Sequence, residues 1–307
     1  MGPIPGVEGL STCTPCPTGP VFDRRVTEEV IPRLECRSMA EPSQCMKMAF
    51  VRDADKPTLL PVASGGTVPS APLGFGASDD LGFVRYVYSN ELSDDIRTQM
   101  PAVAEVQARL AAVIMGDSFA RDAWADPPDA NFLKNFAYFA AQNPNGMPTP
   151  AAGVLTPPTR RDLLCLRRLI EPHEAEAQIA FAMNTAALDA LDRSTYQDGY
   201  PLDWRADAVG VVRPHLSGIP ILVSDNISTS EPGGGTSVYA LRFPGKSDAF
   251  GNDGVYLMTP PGEDGVQVFP VPTDASLDQS QFRVQMNRML VVGSRTFVAR
   301  GVHFGTD

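Results

Sequence analysis

The chain has 307 residues, 43% of them hydrophobic and 20% charged, with a formal net charge of −11. That is enough apolar sequence for one large domain or two smaller ones, so a disordered chain is excluded, and the acidic balance argues against gripping nucleic acid through a general basic surface. No run of about 18 apolar residues occurs, and the opening MGPIPGVEGL lacks the basic-then-apolar order of a secretory signal, so the expectation is a soluble protein made in the cytoplasm, neither spanning a membrane nor exported.

Residues 1–20 contain Pro3, Pro5, Pro15, Pro17 and Pro20, which removes helix donors and predicts an extended arm. Strands are predicted over 46–51 and 81–88, with the loop-like LLPVASGGTVPSAPLGFGASDD between them, the pattern of a long hairpin with a flexible tip. In MPAVAEVQARLAAVIMGDSFARDAW, Pro101 marks a helix start, and Val103, Val106, Leu110 and Val113 recur at three and four residues. This long helix is expected to end before Pro127. A second helix is signalled in TPPTRRDLLCLRRLIEP: Thr159 is placed to cap it, Leu163, Leu166 and Ile170 form one stripe, and Arg160, Arg161, Arg167 and Arg168 lie opposite. A strand over 178–183 then runs into a third helix starting near Asn184. Beyond Pro201 the pattern turns to strands in GIPILVSD, SVYALRF and GVYLMTP. In QFRVQMN, Phe282, Val284 and Met286 alternate with Arg283, Gln285 and Asn287, the period of a strand with one wet face.

Chemical motifs are sparse. EPGGGTS at 231–237 has no following Gly-Lys-Ser/Thr and is read as a turn. PHEAE at 172–176 lacks the second histidine of a zinc-protease helix, and no Gly-x-Ser-x-Gly elbow accompanies His173, His215 or His303. The pairs Asp79/Asp80 and Asp94/Asp95 border turns or helix starts, where solvated carboxylates are ordinary. No catalytic residue is assigned, and the chain is not read as an enzyme. The cysteines are the exception to this blandness. Cys13, Cys16, Cys36 and Cys45 fall within the first 46 residues, whereas Cys165 sits in the second helix, where a buried free thiol is expected. The spacing of the four is irregular for zinc and leaves three readings open: a zinc or iron–sulfur site, disulfides, or free thiols. A metal-dependent oxidoreductase built on these cysteines is one alternative for the whole chain, although a proline-rich arm carries no cofactor fold.

LSGIPILVSDNI, followed by GGGTSVYALRFPGKSDAFGNDGVYLM and then QFRVQMNRMLVVGSRTFVARGVHF, resembles the C-terminal half of tailed-phage major capsid proteins of the Hong Kong 97 (HK97) type. ADPPDANFLKNF and IAFAMNTAALDALDR extend the likeness back through the middle of the chain, so that it spans roughly residue 46 to the end. The resemblance implies an α+β fold with an N-terminal arm (1–46), an extended β-hairpin loop (47–93), a spine helix within 94–126, a peripheral domain (127–202 and 273–307) and an axial domain (203–272). It implies hexamers and pentamers closing into an icosahedral shell around the double-stranded DNA of a tailed phage, assembled in the bacterial cytoplasm. Expected partners are further copies of the chain, a portal protein, and a separate scaffold or cement protein. An encapsulin-like compartment is the alternative shell. Since Met1 opens the chain, any scaffold is expected to be a separate protein. Gly65, Gly66, Gly74 and Phe75, near the hairpin tip, are the expected subunit contacts, because such a hairpin cannot bury itself on its own subunit. The arm is expected to lie across a neighbour in the same way, and the four arginines of the second helix to make intersubunit ion pairs.

Overall fold

The computed structural model describes residues 26–38, 45–50, 77–93, 101–126, 134–145, 155–170, 178–206, 211–231, 233–244, 254–261, 266–271 and 279–306. A 3-10 turn, Ile31–Arg33, with Pro32 in its first turn, leads into β1 (Cys36–Ser38). Then come β2 (Cys45–Phe50), β3 (Ala77–Gly82), β4 (Val84–Ser93) and α1 (Pro101–Trp124). Next are α2 (Phe136–Ala141), α3 (Arg160–Leu169), β5 (Gln178–Met183) and α4 (Thr185–Gln197). The remaining elements are strands apart from a 3-10 turn, Arg295–Phe297: β6 (Asp203–Ala206), β7 (Val212–Leu216), β8 (Ile219–Val223), β9 (Thr236–Phe243), β10 (Val255–Thr259), β11 (Val266–Val271), β12 (Gln279–Val292) and β13 (Val298–Phe304). The architecture is α+β. Among the described residues, no helix is long and apolar enough to cross a membrane.

The chain forms two compact units. One contains Tyr86–Asp117 and Val266–Met286, where β11 and the first half of β12 pair antiparallel from Val266↔Met286 to Val271↔Gln281. The other contains Val26–Arg85, Ser118–Gly265 and Asn287–Asp307 and is built on a six-stranded sheet of order β13-β9-β5-β8-β7-β6. Every neighbouring pair in this sheet is antiparallel except β5 and β8. A parallel pair needs a crossover, and α4 lies on the chain between those two strands. On one face, Leu163, Leu166 and Ile170 of α3 and Ala187, Leu188 and Leu191 of α4 share an apolar cluster with Phe181, Met183, Ile221, Val238 and Ala240. The alternate residues of the same strands, among them Ala182, Leu222, Tyr239 and Leu241, are buried too. All eight residues of β9 are therefore buried, the signature of a strand covered on both faces.

Capping residues set the helix starts as the sequence predicts. Thr159 and Asp162 form a reciprocal capping box at α3, and Asn184 accepts from the Ala187 N–H at α4. The stripe Leu163, Leu166 and Ile170 is fully buried, while Arg161, Arg167 and Arg168 are exposed.

The structure departs from the sequence reading at five places. The partner of β2 is β3, starting at Ala77 rather than 81. Ser78, Asp79 and Asp80 are poor strand formers, but the antiparallel register sets Lys47 opposite Asp80. The short helix α2 is capped by Asn135 and was not foreseen. Gln285 and Asn287 of β12 are each only 9% exposed, so the expected wet face is covered; neither lacks a partner, as buried amides require. Cys165 is a free thiol that is half-buried rather than enclosed. Finally, the sheet unites β5 and β13, expected in the peripheral domain, with β6 to β9, expected in the axial domain. Division by chain order cannot anticipate such non-local pairing.

Asn184 gives a test of this packing. It is 1% exposed, caps α4, and donates through Nδ2 to the Ile227 carbonyl (3.1 Å) and the Thr236 hydroxyl (2.7 Å). Asn184→Ala is expected to cost roughly 2 to 4 kcal/mol of unfolding free energy in denaturant titrations, from a lost cap and stranded buried acceptors. Asn184→Asp, an equally good cap, should be no better, because a carboxylate cannot donate to Ile227.

Candidate functional site

Two polar clusters are built into the larger unit. The first begins with Glu28, in the sequence TEEVIPRL. Its Oε1 accepts from the backbone N–H groups of Val30 (2.9 Å) and Ile31 (3.0 Å), the start of the 3-10 turn. Its Oε2 accepts from Trp124 Nε1 (3.1 Å), Ser224 Oγ (2.5 Å) and Asn226 Nδ2 (3.0 Å). Glu29 follows with a carboxylate that accepts from the Val223 N–H and pairs with Arg213. Val30, Ile31 and Leu34 are buried behind this clasp, and β1 adds in parallel to β10. Residues 26–38 of the expected arm are thus fastened to their own chain. Three of the five donors that Glu28 satisfies, Trp124, Ser224 and Asn226, lie 96 to 198 positions away, which is why the sequence alone did not reveal the clasp.

The second cluster centres on Arg300 of β13, whose register partner is Tyr239 of β9. Its guanidinium bonds Asp126 just past α1, Glu231 (3.0 Å) and Ser237 Oγ (2.7 Å), and lies 5.6 Å from the Tyr239 ring centre. The Ser237 hydroxyl in turn donates to Glu231. Tyr239 packs on Trp124 at 5.0 Å, and Trp124 stacks on Phe136 at 4.2 Å. Glu231 is 7% exposed, and burial pushes its carboxyl above the ordinary value against the opposing pull of Arg300 and Ser237. Burial likewise pushes the Tyr239 phenol up. Such a cluster is an ionic tie rather than a reaction centre: every charged group in it is engaged by another.

Beside Glu231, Gly233, Gly234 and Gly235 all have positive φ, confirming the expected turn. A Cβ on Gly235 would come within 2.5 Å of the Phe304 carbonyl oxygen, so the turn abuts the last strand too closely for a side chain. Two open clefts lie elsewhere in this unit. One of about 290 Å³ is lined by residues including Arg33, Gln178, Leu222 and Phe243; the other, of about 420 Å³, by residues including Arg160, Tyr200, Arg205, His215 and Ser217. Of the described histidines, His215 Nδ1 meets the Arg213 carbonyl and His303 Nδ1 the Gly234 carbonyl, with no nucleophile on either ring.

Cys36 is an exposed free thiol on β1, while Cys45 opens β2 opposite Gly82 in a different sheet. Cys13, Cys16, Gly65, Gly66, Gly74, Phe75 and His173 lie outside the described residues. Among the described residues no three His, Cys, Asp or Glu side chains gather as metal ligands would.

No protein-family model matches the sequence, and no curated protein does. Solved structures do. An encapsulin complex from Synechococcus elongatus matches with a TM-score of 0.66 over 94% of this chain and 93% of its own, at 16% identity. The capsid of a native GTA particle matches at 0.56 over 97% and 96%, with 12% identity. The fold is that of the HK97-type capsid proteins. A structure of Mycobacterium phage Patience adds a match at 0.50 over 90% and 82%, with 15% identity. At such identities the HK97-type likeness lies in the arrangement of elements, and no neighbour's site residues transfer by it.

The ionic tie predicts a specific pH response. The folded state holds the Glu231 proton to higher pH than the unfolded chain, so the group's contribution is most favourable in acid and declines as pH rises from about 4.5, the ordinary glutamate value, through the raised folded value. The stability of wild type minus that of Glu231→Gln should therefore fall between pH 4.5 and pH 7; a difference that rises would contradict the assignment. Arg300→Met leaves Glu231 and Asp126 without their shared cation and should cost about 3 to 5 kcal/mol at neutral pH, less in acid.

Proposed function

We propose that this chain is the building block of a closed protein shell. The supporting observation is end-to-end likeness, over 82% to 97% of each chain, to an encapsulin and to capsid and phage structures. The shell role also fits a chain whose polar clusters tie elements together instead of confronting a substrate. In this reading the chain is the major capsid protein of a tailed phage, self-assembling as hexamers and pentamers. It encloses double-stranded DNA without sequence preference, with a portal protein and a separate scaffold or cement protein as partners, and the virion is its final location. The acidic net charge suits enclosure rather than adhesion, with counterions balancing phosphate. A second reading, an encapsulin-like compartment around a protein cargo, draws on the TM-score of 0.66 to the encapsulin against 0.56 and 0.50 to the other two.

Expression of the chain alone followed by negative-stain imaging tests the shell itself: closed particles or capsomers are expected, and a dispersed monomer at assembly concentrations would overturn it. Particles from the native source separate the two readings, since nuclease-protected double-stranded DNA marks a capsid and a co-purifying enzyme marks a compartment. Deleting residues 62–77, which include all four proposed tip contacts, Gly65, Gly66, Gly74 and Phe75, should leave folded subunits that no longer close shells.

The cysteines are proposed as a structural staple for the arm. Metal analysis and a non-reducing gel on purified particles assign Cys13, Cys16, Cys36 and Cys45 to metal, disulfide or free thiol. Cys13→Ser with Cys16→Ser is expected to lower particle melting temperature while subunits still fold; unchanged melting would dismiss the staple.

A further inference from the structure

α3 and α4 lie on the same face of the six-stranded sheet, sharing one apolar cluster, and Ser194 Oγ donates to the Pro158 carbonyl just before α3 begins. Their outer faces carry opposite charge. On α3, Arg161, Arg167 and Arg168 are exposed; on α4, Asp189 is exposed with Asp192 half-buried beside it, and Asp198 is exposed at the C-cap end of the helix. Among the described residues, none of these six side chains forms an ion pair. Arg193, the cation on that stretch of α4, turns its guanidinium to the Thr306 and Asp189 carbonyls. One subunit therefore carries two charged faces of opposite sign in a single layer, each unanswered within the described chain.

We propose that the arginine face of α3 in one copy docks on the aspartate face of α4 in the next copy, a head-to-tail contact that closes rings. The proposal rests on the shell reading and names a contact that holds neighbouring subunits. A contact of α3 on α3, or of α4 on α4, would set like charge against like, so each face calls for the other, and a heterologous contact of this kind closes into a ring when its rotation divides the circle. Nucleic acid is the competing occupant of an arginine face. The aspartates of α4 in the same layer, and a net charge of −11, oppose a phosphate backbone there. Exposed ion pairs are weak singly, but ring closure requires every contact at once, and reversing one face turns each into repulsion.

The test uses two full-length variants, each with one face reversed: Arg161→Glu, Arg167→Glu, Arg168→Glu, and Asp189→Lys, Asp192→Lys, Asp198→Lys. Alone, each should keep the wild-type circular-dichroism spectrum and give no rings or shells by native mass spectrometry and negative stain. Mixed one to one, they should regain assembly, because every contact in an alternating ring is again between unlike charges. Alternation closes only with an even number of subunits, so the mixture should form hexamers and lack pentamers. Should a triple variant misfold, Arg161→Gln with Arg168→Gln replaces it, expected to disassemble at lower salt than wild type. Variants that assemble like wild type while holding less nucleic acid would assign the face to a polyanion and overturn the contact; variants that assemble with nucleic acid unchanged, or a mixture that stays dispersed, would also overturn it. Wild-type chain that forms no assembly defeats the shell reading and this contact together, whereas wild-type shells with unaffected variants defeat the contact alone.

Discussion

A half-buried guanidinium set among carboxylates dictates much of the larger unit. Arg300 cannot sit beneath the surface without partners, and the partners it has come from three separate places: past the end of α1, the loop before β9, and β9 itself. Once Arg300 is opposite Tyr239, the register of β9 and β13 is set. The loop that delivers Glu231 must then turn back sharply against the last strand, and the three consecutive positive-φ glycines make that turn possible. The aromatic stack of Trp124, Phe136 and Tyr239 fills the space beside the ion pairs, so α1 and α2 are positioned by the same group.

Helix starts were legible in the sequence because they are local. Thr159 with Asp162, Asn184 before an apolar run, and Pro101 each act within one turn of chain, and each is found where the pattern placed it. Strand existence was legible for the same reason, in SVYALRF and GVYLMTP. Partnership was not. Which strand lies beside β5 depends on residues 221 and 240 rather than on its own six, and no period in the sequence carries that information. The alternation in β12 correctly marked two faces, but amphipathic spacing cannot distinguish solvent from a polar buried environment, so Gln285 and Asn287 were read as wet. Glu28 and Arg300, the two residues that organise the polar clusters, carry no local signal, because their side-chain partners lie between 63 and 198 positions away.

A sheet covered on both faces has little broad apolar surface left to offer a partner. Interaction is left to helix exteriors, strand edges and the hairpin whose base is β2 and β3. This division fits a subunit whose interior makes it rigid and whose periphery is free to diverge, and it explains how an arrangement persists at 12% to 16% identity. The described polar side chains with the most unusual surroundings, Arg300, Glu231 and Tyr239, are committed to holding strands and helices together.

The clasp at Glu28 bears on the order in which the chain takes shape. Ser224 and Asn226 lie 196 and 198 residues further along, and Trp124 lies 96 residues along, so the carboxylate has no complete set of donors until the chain has been made as far as Asn226. A segment that precedes its partners by as many as 198 residues is consequently seated late. Until those partners arrive, Val30, Ile31 and Leu34 lack the cover they have in the folded chain, and this stretch is a length of apolar sequence waiting for its place.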